Sequence, residues 1–229
     1  MAEDGIGVFI RWVLRHGVTS GGTRDLVTLA TFLSDDERLA QLQRESFVGW
    51  LDEAFVDELL SLAEPAEVIT LLTQRIVRHI SPEMFKRVFD RTLAASSDIE
   101  VLSGLMFVAG LYLDRHPGAF PLPRNLADQL LASEDLDHRL AGLKSLRHSM
   151  ASSGEIVAQI TTALKRDDWQ ERWAGLSQLG RLLEDKGSQL AEPTEGRTLD
   201  ELRDVLMQLA DTAPDADTRR AAAHCRALL

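Results

Sequence analysis

Six histidines, one cysteine and two closely spaced tryptophans are the residues whose types could do chemistry. The histidines are His16, His79, His116, His138, His148 and His224. A metal needs several ligands converging on one point. No two of these histidines share a helix face with an acid between them, and no H-E-x-x-H stands anywhere, so no metal site is expected. His224 and Cys225 are adjacent, as a base and a nucleophile would be. On a helix, however, neighbours point about 100° apart and do not face each other. The thiol is therefore expected to pack as a small apolar group. No phosphate loop of the G-x-x-x-x-G-K-[ST] type and no G-x-S-x-G elbow is present. The expectation is a protein with no catalytic residue, no metal and no cofactor, and not an enzyme.

Two clusters have the make-up of binding surfaces. Trp169 and Trp173 lie four residues apart on either side of Arg172, with Asp168 just before them. Such a set can stack on nucleic-acid bases. A nucleic-acid groove also needs an excess of Lys and Arg to neutralise phosphates, and the C-terminal half has none. Both rings are thus expected to fill the core or a seam between helices. The densest basic stretch is QRIVRHISPEMFKRVFDR, residues 74–91, where Arg75, Arg78, Lys86, Arg87 and Arg91 outnumber Glu83 and Asp90. Arg75 and Arg78 share one helix face, and Arg87 and Arg91 share the next. Two successive helices would then present one basic surface, the expected partner-binding site for a protein or an acidic peptide. The competing reading is a solvated face with intrahelical ion pairs, such as Lys86 with Asp90.

The elements that must position these residues follow from composition and punctuation. The chain has 229 residues, 45% of them apolar and 27% charged, enough for a sizeable core in one large or two small domains. Leucine, alanine, glutamate, aspartate and arginine dominate, a mix that favours helices over strands. The net charge is −11, with 18 acids against 11 bases in residues 1–115 and 18 against 14 in 116–229. That spread repels phosphate backbones and anionic membranes. A single cysteine rules out an intramolecular disulfide. The opening MAEDGIGVFIRWVLRHG carries acids where a leader wants bases, and its apolar run is broken by Arg11 and Arg15. The longest apolar run, Gly104 to Leu113, is half of what a membrane span needs. An intracellular protein, cytoplasmic or nuclear, is expected.

Helices are expected at about 5–16, 23–33, 35–47, 50–63, 65–80, 82–95, 98–115, 123–132, 136–149, 155–166, 169–185, 199–211 and 215–228. Capping boxes are expected at Ser34 with Glu37, Ser97 with Glu100, Ser152 with Glu155, Asp168 with Glu171 and Thr198 with Glu201. Ser81-Pro82 and Glu64-Pro65 place proline at a first helical position. Gly17, Gly118, Gly154 and Gly187 sit where helices should stop. Most links are short enough to force antiparallel neighbours. The link HPGAFPLP suggests a boundary between an N-terminal helical region, 1–116, and a second region, 117–229.

The second region repeats itself. DLDHRLAGLKSL at 135–146 and DWQERWAGLSQL at 168–179 share a D-x-x-x-R-x-A-G-L-x-x-L pattern 33 residues apart. A third copy, DADTRRAAAHCRAL, follows at 215–228 after a polar insertion. The aspartates are Asp135, Asp168 and Asp215, and the arginines Arg139, Arg172 and Arg219. An aspartate at a helix start accepts from free backbone N–H groups and complements the helix dipole. An arginine one turn later reaches back to that carboxylate or to the one in the next unit. The Ala-Gly pair lets a neighbouring helix come close, and the leucines form the buried stripe.

This pattern resembles the second helix of a HEAT-like (ARM/HEAT-type) repeat. The resemblance implies an all-α fold, with antiparallel helix pairs stacked as a short right-handed α-solenoid, continuous with the N-terminal region. It also implies an extended helical surface for macromolecules. HEAT hydroxylases that bind iron carry paired His-Glu motifs, absent here, whereas some HEAT-like DNA glycosylases use tryptophan and aspartate. The expectation is a scaffold or adaptor that binds a partner protein, with nucleic-acid binding or DNA repair as the alternative. The last helix ends at Leu229 without a polar cap, so a further chain or a second copy is expected to cover that end.

Overall fold

The computed structural model describes residues 65, 66, 69, 81–149, 151–186 and 196–229. The helices expected before residue 65, the Ser34–Glu37 box, Gly17, Gly187, Arg75, Arg78, His16 and His79 lie outside the described residues. Among the described residues there are eight helices and no strand: α1 Pro82–Ala95, α2 Ile99–Leu113, α3 Arg124–Leu131, α4 Leu136–Leu146, α5 Ser153–Leu164, α6 Trp169–Lys186, α7 Gly196–Thr212 and α8 Ala216–Leu228. Pro65, Ala66 and Ile69 are also helical. The chain divides into two compact units, Met1–Phe120 and Pro121–Leu229, a division that falls inside the HPGAFPLP link.

Local chemistry accounts for most helix starts. Ser81 accepts from the Met84 N–H with Pro82 in the first turn. Ser152 and Glu155 complete both halves of a capping box, and the Ser152 bonds hold the Glu155 carboxyl below its usual range. Two expected starts and one expected stop are corrected. Asp98, not Ser97, caps α2 by accepting from the Glu100 N–H, while the Ser96 hydroxyl accepts from the Asp98 N–H. Thr198 lies inside α7, which begins at Gly196, and Glu201 pairs with Lys165 instead of reaching back. Gly154 sits in the first turn of α5 and stops nothing. Gly118 does adopt a positive φ of 77°, in the link after α2.

In the first unit α1 packs on α2 across the short link 96–98. Phe85 stacks on Tyr112 with centroids 4.1 Å apart, and Phe120 closes on both Phe85 and Phe89. Burial, with Glu83 adding to it, pushes the Tyr112 hydroxyl up to about 12. A Cβ at Gly104 would lie 3.0 Å from the Ile69 side chain, so the glycine admits a close neighbour. The helix α2 is apolar nearly all round but is not buried all round: Phe107 and Leu111 are exposed.

In the second unit the helices pack as pairs, α3 with α4, α5 with α6 and α7 with α8. Contacts also run between α4 and α6, between α6 and α8, and between α5 and α7. Leu146, Ile160, Leu164, Leu179, Leu183, Leu202, Leu206 and Cys225 belong to one buried cluster drawn from five helices. The small residues of the repeat mark close approaches. A Cβ on Gly142 would lie 2.9 Å from the Leu131 side chain and 3.0 Å from its backbone nitrogen. One on Gly175 would meet Leu164 at 3.1 Å.

Candidate functional site

The repeated Asp and Arg residues sit at the starts of α4, α6 and α8 and do the same two jobs each time. Asp135 accepts from the N–H groups of Asp137 and His138, and Asp168 from those of Gln170 and Glu171. Asp215 accepts from Thr218, a bond that holds its carboxyl below the usual range. Each arginine then donates from Nη1 to the carbonyl six residues behind it: Arg139 to Ser133, Arg172 to Arg166 and Arg219 to Ala213. The arginine thus ties the second helix of a pair to the turn that precedes it, satisfying carbonyls that would otherwise be left at the end of the first helix. That tie to a carbonyl replaces the expected bond to the aspartate of its own unit.

The guanidinium of Arg139 does a third job. Its Nε and Nη2 donate to the two carboxylate oxygens of Glu171, both at 2.8 Å. Glu171 is 2% exposed and Arg139 14%, so this is a buried, bidentate pair of the strong kind. Donating to Glu171 raises the Arg139 pKa above its ordinary value. Arg166 joins the same carboxylate at 3.2 Å. Glu171 therefore caps nothing; the box expected with Asp168 has only its first half. Near the other end of the same helices Arg147 pairs with Asp185 at 2.5 Å.

The junction between α6 and α8 repeats the scaffold without the carboxylate. Counting from the aligned aspartates, Thr218 stands where Glu171 stood and Ala213 where Arg166 stood. The Arg172 Nε is buried and finds no acceptor among the described residues. Asp215 acts on Arg172 only electrostatically. Beside Arg172 lies a cavity of about 420 Å³ between the turn after α5 and the end of α7.

The outer face of α6 carries the two tryptophans. Trp169 is 61% exposed and Trp173 46%. The expectation that both rings are buried is overturned: the inward positions of the helix are taken by Leu176, Leu179, Leu182 and Leu183. Within the basic stretch, Lys86 forms an ion pair with Asp90 at 2.5 Å, Arg87 is half-buried and Arg91 exposed, and neither arginine lacks a partner. Cys225 is buried, its thiol donates to the Leu176 carbonyl, and burial pushes its pKa up to about 11, so it stays protonated. Among the described residues no three His, Cys, Asp or Glu side chains converge on a metal-sized site. Among the same residues no helix is long and apolar enough to cross a membrane.

Sequence reasoning missed three of the residues that shape this site. The capping pattern accounts for Glu171 at a helix start, and no helix pattern marks Arg166 or Thr218. The readable signal is the difference between copies: with the three aspartates aligned, position four of the helix-start motif is His138, Glu171 and Thr218. No protein-family model, curated protein or solved structure matches this chain.

Proposed function

We propose that the protein is a non-enzymatic interaction module, a scaffold or adaptor whose helix pairs stack as a short right-handed HEAT-like solenoid. Three features support the stacking. The cap and the carbonyl-pinning arginine recur in all three pairs of the second unit. The second helices α4, α6 and α8 pack in succession, as do the first helices α5 and α7. Small residues stand where helices come closest. Repeats built this way present one continuous helical face.

The exposure of Trp169 and Trp173 carries the binding role. Large aromatic side chains left in water next to an arginine match the anchor residues of protein interfaces, where Trp and Arg are enriched. Both rings flank Arg172, so the partner we propose is a protein segment with an acidic side chain beside apolar ones. Nucleic acid fits less well. The neighbouring Asp167 and Asp168 are acidic and exposed or half-exposed, and phosphate binding needs several cations acting together.

The test compares affinity capture by the wild-type chain and by W169A/W173A, with folding of both checked by circular dichroism. Proteins held by the wild type and lost by the folded variant support docking at α6. Identical capture by the two contradicts it. Reversing Arg75, Arg78, Arg87 and Arg91 in a parallel sample shows whether the basic stretch holds a partner of its own.

A further inference from the structure

The two junctions between second helices differ at their helix starts, where Arg139 has a buried carboxylate partner and Arg172 has none, and a cavity lies beside Arg172. Between α4 and α6, Glu171 and Arg166 occupy the space and Arg139 is fully paired. Between α6 and α8 the same positions hold Thr218 and Ala213, and Ala213 lines the cavity. The shortened side chain leaves room; the missing carboxylate leaves Arg172 with an unmatched Nε–H. Leu164, Val205 and Leu209 line the cavity together with the polar Gln208 and Arg172. Its other cations are engaged: Lys165 with Glu201 and Arg166 with Glu171. Asp167, also in the lining, is exposed.

We infer that this cavity receives a carboxylate on a short apolar stem, held by the guanidinium of Arg172. A volume of about 420 Å³ falls within the range of small-molecule sites. The apolar lining suits a methylene stem, and the guanidinium suits a planar, two-oxygen head. Because the guanidinium is one delocalised cation, a carboxylate arriving from the cavity is sensed at the shielded Nε–H. An acidic side chain of a partner and a free small carboxylic acid share this chemistry. The inference deepens the docking role proposed above by naming what Arg172 holds.

The test is a titration of the full ¹⁵N-labelled chain, following the arginine Nε–Hε signals, with Arg172 assigned through R172Q. Butyrate should move the Arg172 signal saturably, and butanamide, its neutral isostere, should leave it in place. R172Q should weaken the butyrate response of the Gln208 side-chain amide roughly ten- to a hundred-fold, as loss of a charge-assisted hydrogen bond does. R220Q, at an exposed arginine paired with Asp217, should not. T218E should show the shifted Arg172 signal without ligand and a butyrate response at least ten-fold weaker. If T218E does not fold, R172Q against R220Q decides alone. An equal response to butanamide, a response that never saturates, or one that survives R172Q overturns the inference. A short amidated peptide with one glutamate among apolar residues separates the sources. Movement of the Trp169 and Trp173 indole signals along with Arg172 points to a partner side chain, and movement of Arg172 alone to a free acid. Failure of butyrate with successful capture at α6 sinks the pocket and leaves the docking role; the reverse sinks the docking role alone.

Discussion

The junction between α4 and α6 and the junction between α6 and α8 are built from the same motif and finished differently. Both begin with an aspartate cap and an arginine pinned to the turn six residues behind it. In the first, a buried glutamate from the next helix closes the arginine's fork. In the second, a threonine stands in that place and a cavity opens beside the arginine. The aspartate and the carbonyl bond therefore hold each pair together, while the glutamate is an addition that seals one seam. A repeat can keep its structural residues and release one position for another use.

The largest effect that separates the junctions should come from E171A. It leaves the Arg139 guanidinium beside Arg166 with no hydrogen-bonded carboxylate, and removing one partner of a buried pair costs about 3–5 kcal/mol. R172A, at the unsealed junction, should cost only about 1–2 kcal/mol, since it removes one bond to a carbonyl and some packing. Urea unfolding of both variants checks the order; equal losses would erase the distinction. Next in size is G142A. Its new methyl meets both the side chain and the backbone of Leu131, an overpacking worth about 1–3 kcal/mol. At the aligned position of α8 the chain already carries Ala222, fully buried. A222G should cost about 1 kcal/mol, and by helix propensity rather than by clash.

Smaller still is a pH effect. The Asp215 carboxyl is held below its ordinary 3.8, chiefly by the Thr218 N–H. A carboxyl depressed in the folded state contributes fully above its ordinary value and loses that contribution as pH falls through the folded one. D215N should therefore flatten the fall in Tm below pH 3.8 while leaving the Glu155 contribution, which fades from 4.5 downward by the same logic. An unchanged acid limb would show that the cap at α8 is not linked to folding. The smallest stability change should be that of W169A/W173A, within about 0.5 kcal/mol because both rings are exposed, even as partner capture is lost.

How much of this was legible beforehand differs by level. Every helix expected from residue 82 onward is present, with ends shifted by up to three residues. Caps and apolar period are local, and local signals travel well from sequence to structure. The three aspartates do what a short acid at a helix start does. The partner of each arginine was only half legible. Reaching a carbonyl six residues back depends on how the preceding turn is folded, and no spacing rule on one helix describes it. Glu171 satisfied the capping pattern, yet a guanidinium from another helix outcompeted the backbone for its oxygens. The exposure of the tryptophans has a related cause. Their spacing of four matches a buried stripe, but α6 already fills its inward face with four leucines. Which face turns inward is settled by neighbours. The cavity depends on how the aligned copies differ, not on what they share.

The unequal finish of two like junctions is measured directly by paired double-mutant cycles in urea. The cycle between Arg139 and Glu171 should give a coupling of about 2 kcal/mol or more, and the same cycle between Arg172 and Thr218 a value near zero. Equal couplings, or none between Arg139 and Glu171, would contradict it.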